Sequence, residues 1–133
     1  MQYNRIVGCV EIHIDTKRID ENLKKAQDLL DGRVLADMRN YIPNQVGDLR
    51  EKTNIVSPGL IETNTTYAHY QYMGELYLTE DGRSWAHEGD HKYPTGMPLH
   101  YHAPGTSDHW FERAKETHKQ QWIDLVKREV GKG

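Results

Sequence analysis

The chain reads as a single α+β domain, an antiparallel sheet with a long N-terminal helix and a C-terminal helix packed on one face. Three observations predict this. An early stretch alternates apolar and polar residues with period two. A run of about 24 residues then repeats its apolar positions every three or four residues, the stripe of an amphipathic helix. Residues 103–130 open on Pro104-Gly105 and polar helix starters, then return to helical periodicity around aromatic anchors.

In chain order, residues 6–14 (IVGCVEIHI) predict a strand, with Val10, Ile12 and Ile14 on one face and a bulge at Gly8. Asp15 or Thr16 offers the oxygen that caps the first helix. Ile19, Leu23, Ala26, Leu30, Val34 and Met38 form its apolar stripe, widened by Leu29 and Leu35. Gly32 inside it predicts a kink or a close helix contact, and Pro43 ends it. Residues 44–52 are a polar connection. Residues 53–57 and 60–66 predict a hairpin across Pro58-Gly59. Residues 67–73 fit either a short helix or an aromatic strand. In residues 74–98, segments 77–79 and 84–87 predict a second hairpin across Asp81-Gly82. The remainder reads as loop, followed by a short strand at 99–102. Thr106, Ser107 and Asp108 compete to cap the final helix. Its face carries Trp110, Phe111, Ala114, His118, Trp122, Leu125 and Val126, and Gly131 closes it.

A length of 133 residues fits one domain spanning the whole chain, 1–133, with no linker or repeat. Yet only 36% of residues are hydrophobic and the mean hydropathy is −0.87, a lean supply for a self-sufficient monomer. Part of the stability is therefore expected from partner subunits. The net charge of −3 carries no nucleic-acid signature. Residues 75–90 hold Glu75, Glu80, Asp81, Glu88 and Asp90 against Arg83 alone, a local charge of −4. Cys9 is the one cysteine, which excludes an intrachain disulfide. No apolar run reaches the about 18 residues of a membrane span. The N-terminus lacks a secretory pattern, so assembly in a cytoplasm is expected.

Five of the eight histidines, His87, His91, His100, His102 and His109, fall close together in sequence. His87-Glu88-Gly89-Asp90-His91 matches the ends of the HExxH zinc motif, so a zinc-dependent hydrolase is the alternative reading. That motif needs a helix with apolar neighbours, so that the glutamate can polarise a metal-bound water. Gly89 and Asp90 are poor helix formers and the flanks are loop-like. Solvated loop histidines, no metal and no cofactor are the expectation. Cys9 reads as a small core residue, no serine sits in a nucleophile elbow, and no glycine-rich phosphate loop occurs. With no catalytic residues to assign, the chain does not read as an enzyme. The aromatics of the middle third have polar neighbours. The region is read as half core and half interface, with Tyr70, Tyr72, Tyr77, Trp85 and Tyr93 as the residues a subunit or partner would cover, because such side chains join an apolar body to a polar tip. A stacking surface for single-stranded nucleic acid lacks the interleaved Lys and Arg it requires.

Short blocks spread along the chain carry a family resemblance. They are Ala26-Gln27 with Leu30 and Val34, Asp37-Met38, Tyr41-Ile42-Pro43, Gly47 with Leu49-Arg50, Thr66-Tyr67-Ala68, Tyr70-Gln71-Tyr72 and Gly74. The last is Pro104-Gly105-Thr106 leading into His109-Trp110-Phe111-Glu112-Arg113-Ala114-Lys115. In this order and spacing the chain resembles the phage minor capsid and tail-completion proteins, a head–tail joining family of siphophages. The resemblance departs over residues 78–99. It implies a small α+β virion subunit that forms a ring at the neck and joins the connector to the tail tube. Its partners would be copies of itself and the neighbouring neck and tail-tube proteins, with DNA passing through unbound. The five acidic residues of 75–90 would then suit a channel lining, where repulsion keeps DNA from adhering.

Overall fold

The early alternating stretch folds back on itself at Gly8. In the computed structural model, which describes residues 2–43, 48–101 and 103–133, strand β1 (Gln2–Val7) pairs antiparallel with β2 (Val10–Asp15). The register runs from Gln2↔Asp15 to Val7↔Val10, leaving a two-residue turn in which Gly8 takes φ 61°. The expected single strand over 6–14 is thus a hairpin. Period-two alternation continues through so tight a turn, so Gly8 mimics a bulge in the sequence. Cys9 lies exposed in that turn rather than in the core.

Helix α1 (Lys17–Arg39) follows, and the Asp15 carboxylate accepts the Lys17 N–H at 2.9 Å at its start. Gly32 is exposed with no neighbour near its missing Cβ, so the expected close contact is not present. After the short α2 (Asp48–Glu51), β3 (Thr53–Ser57) and β4 (Leu60–Thr63) form the hairpin expected around Pro58-Gly59. Asn44 to Gly47 of the polar connection lie outside the described residues, as does His102.

The ambiguous segment is helical, α3 (Ala68–Met73), and Gly74 ends it in the left-handed region at φ 73°. A Cβ on Gly74 would sit 2.7 Å from Asp108 Oδ2, so both conformation and space require glycine. Strand β5 (Glu75–Thr79) pairs with β6 (Lys92–Pro98), not with 84–87. Asp81-Gly82 does turn the chain, with Gly82 N–H donating to the Thr79 carbonyl at 2.9 Å, but the strand partner comes later. Pro94 and Pro98 disguise β6 as loop, yet an edge strand tolerates proline. Residues 99–101 are not a strand; Leu99 N–H donates to the Gly74 carbonyl at 2.9 Å.

Helix α4 (Trp110–Val130) closes the fold, antiparallel to α1. Its N-cap position is His109, at φ 45° and ψ 46°, with no side-chain cap. The three expected caps are engaged elsewhere: Thr106 and Ser107 donate to nearby carbonyls, and Asp108 packs under Gly74.

The chain is α+β as the sequence predicts, with antiparallel pairing and the two long helices packed together. The pairing is divided among three separate two-stranded ribbons. The core gathers Val34, Met38, Ile42, Leu49, Trp110, Ala114 and Trp122. Two buried carboxylates on α1 fix its neighbours. Asp37 accepts the Trp122 indole N–H at 2.7 Å and the Arg33 Nε–H at 3.2 Å. Asp31 accepts the Gln27 amide at 2.6 Å and the Gly59 backbone N–H at 2.9 Å, tying the β3–β4 turn to the helix.

Trp122→Phe keeps an aromatic ring but removes the donor to Asp37 together with part of the buried ring volume. Hydrogen bonds to charged groups contribute about 1.5–3 kcal/mol, so the variant is expected to lose about 2 kcal/mol in urea denaturation. Unchanged stability would show the bond to be dispensable.

Candidate assembly surface

Beside the C-terminal half of α1 the packing is incomplete. A groove of about 600 Å³ has Leu30, Val34 and Met38 as its floor. Leu60 and Ile61 of β4 form one wall, and Tyr72, Trp110 and Phe111 the other. Asp31 and the His69 imidazole also line it, and both Asp31 oxygens are already engaged by Gln27 and Gly59. The groove therefore offers apolar walls and no uncompensated carboxylate. Leu60 and Phe111 stand exposed at its lips.

Tyr72 is a strut of this wall. Its ring meets Trp110 edge-on at 4.6 Å and its hydroxyl donates to Glu112. Burial, and then the Glu112 bond, push the phenol pKa well above its usual value. Tyr101 is likewise pushed up, to about 12, by burial, and its hydroxyl donates to the Gln71 carbonyl.

The five aromatics predicted as an interface do not form one surface. Tyr70 and Tyr77 pack together at 4.8 Å between α3 and β5, with the Lys92 ammonium 4.9 Å over the Tyr70 ring. Tyr93 pairs with Leu78 in register, which turns it to the opposite face of the ribbon from Tyr77, and it is 53% exposed. Trp85 lies in the 80–91 loop, 58% exposed, beneath the Arg83 guanidinium at 4.4 Å and beside His87.

The acidic segment is less uniform than its charge suggests. Arg83 Nε donates to Asp81 at 2.7 Å and its Nη2 to Asp90 at 3.1 Å, drawing the loop together. The hydrogen bonds from Arg83 and from Thr79 hold the Asp81 carboxyl at about 2, below its usual 3.8. Glu75 accepts the Gly96 N–H at 2.8 Å. Glu80 and Glu88 stand exposed. The HEGDH stretch lies in this same loop, not on a helix, with His87, Glu88 and His91 all exposed. Among the described residues, no three His, Cys, Asp or Glu side chains converge as metal ligands would.

A second apolar surface lies at the far end of α1. Ile19 and Leu23 continue the core stripe yet are 45% and 49% exposed, because α4 ends beside Asn22, whose amide donates to the Val130 carbonyl at 3.2 Å. The exposed Tyr3 and Ile14 are cross-strand partners on the β1–β2 hairpin, which packs on its own chain only marginally. Sequence reasoning missed this surface. The available signal was a stripe on α1 that begins before any partner helix reaches it.

The sequence is matched, over residues 9–130, by the family model for minor capsid proteins. The chain belongs to the phage minor capsid protein family. No curated protein and no solved structure shows significant similarity to it. Family membership makes the chain a structural component of the virion. Among the described residues, no helix is long and apolar enough to cross a membrane.

The lowered Asp81 pKa has a definite pH signature. The Asp81 contribution to loop order is full above pH 3.8 and is lost as pH falls through about 2. Arg83→Ala should raise the Asp81 carboxyl from about 2 part of the way towards 3.8, with the Thr79 bond still holding it down, and release residues 80–91, measured by carboxyl NMR titration. A titration unmoved by the substitution would remove Arg83 as the cause.

Proposed function

We propose that this protein forms a ring of identical subunits at the head–tail interface and joins the connector to the tail tube. It works by shape and contact, without catalysis. The observation that carries this reading is the presence, on one minor capsid subunit, of two separate uncovered apolar surfaces at opposite ends of α1. A surface that complements a different patch on an identical copy makes a head-to-tail contact, and such contacts close into rings when the rotation permits. The lean composition agrees, since burial lacking in one subunit is supplied by its neighbours. The connector, the neighbouring neck proteins and the tail tube are the remaining partners, and isolated subunits stay monomeric until they meet them.

Deletion of the gene should yield filled heads and separate, fully formed tails in electron micrographs. Joined infectious particles would refute the role. The genome would cross the ring without specific binding. Glu80 and Glu88, both exposed, are the residues of the acidic segment best placed to repel it, while Asp81 and Asp90 are partly neutralised by Arg83 and Glu75 is engaged by the backbone. Glu80→Lys with Glu88→Lys should slow DNA ejection in a fluorescence assay. Ejection at the normal rate would discard the channel-lining role of this loop.

A further inference from the structure

Each of the two uncovered surfaces lacks what the other provides. The β1–β2 hairpin and the first turns of α1, residues 2–23, form an arm with Tyr3, Ile14, Ile19 and Leu23 exposed. A two-stranded hairpin on its own is marginal in water and needs a further strand or a packing surface. The groove beside Leu30, Val34 and Met38 lacks a filler. Within one chain the two cannot meet. They lie along a continuous helix that rises about 1.5 Å per residue, so Leu23 and Val34 are roughly 16 Å apart on a rigid rod.

We propose that the arm of one copy docks in the groove of the next, with the Tyr3–Ile14 pair seated between Leu60 and Phe111. This deepens the proposed function, resting on the chain acting as an assembled subunit, and it names the residues of the contact. The occupant is a second copy on grounds of size and chemistry. The arm spans residues 2–23, within the about 20–30 residues a side that a stable interface takes. The groove has the volume of a small-ligand pocket, about 300–1,000 Å³, so it receives the apolar pair while the rest of the arm spreads over the lips. With Asp31 already satisfied, the groove selects apolar side chains over a charged ligand. The same asymmetric contact repeats from copy to copy.

The test places cysteines on both sides. In a Cys9→Ser background, Ile14→Cys and Leu60→Cys are combined and the assembled particles treated with a bis-maleimide. A ladder of dimers, trimers and higher species is expected, and none when Lys119→Cys, on the exposed side of α4, replaces Leu60→Cys. Particles that contain the protein yet give no ladder, or stop at dimers, overturn the arm-in-groove contact while leaving the joining role intact. Wild-type particles without the protein would instead refute the joining role itself. Independently, Ile14→Asp and Leu60→Asp should each lose incorporation into particles while keeping wild-type helix content by circular dichroism. Normal incorporation of either also overturns the contact.

Discussion

The meeting of Asp37 with the Trp122 indole sets the geometry of this molecule. A buried carboxylate is costly unless its oxygens are occupied, and here the same oxygen takes the indole N–H and the Arg33 Nε–H. Sliding α4 along α1 by one turn would leave that carboxylate with Arg33 alone and the buried indole N–H unpaired. The helix pair is therefore held in one register, reinforced by Asn22 at one end and by Tyr41 with Thr117 at the other. Asp31, on the same helix, does for the β3–β4 hairpin what Asp37 does for α4, by taking the Gly59 N–H. The two carboxylates thus decide where the helix and the ribbon stand, and the groove is the space left between them.

Much of this was legible in the residues. The stripe from Ala26 to Met38 and the aromatic anchors of the last helix announce two amphipathic helices, and Pro58-Gly59 announces a hairpin. What stayed hidden follows from long-range pairing. Nothing local to β5 reveals that its partner lies beyond a loop closed by Arg83, and the prolines of β6 argue against a strand until its edge position is known. The hairpin at Gly8 was concealed by its own regularity. Asp31 and Asp37 look like ordinary surface residues of a helix, and only the fold shows what they hold.

The aromatics read from the sequence as a contact surface are dispersed in the fold. Tyrosines in polar company suggested contact with a partner, yet Tyr72 serves the groove wall and Tyr70 packs with Tyr77. The larger uncovered area comes from aliphatic residues whose periodicity is that of a core, and exposure cannot be read from periodicity when the covering element stops short. Contiguous apolar surface left open on one subunit is what the proposed assembly would use.

Pro94 and Pro98 bear on life before assembly. The open margin of a strand is a template on which other chains can stack without limit, and a strand lacking N–H groups at two of its seven positions is a poor template. Along β6, then, unlimited edge-to-edge stacking of one chain on another is disfavoured by the missing donors.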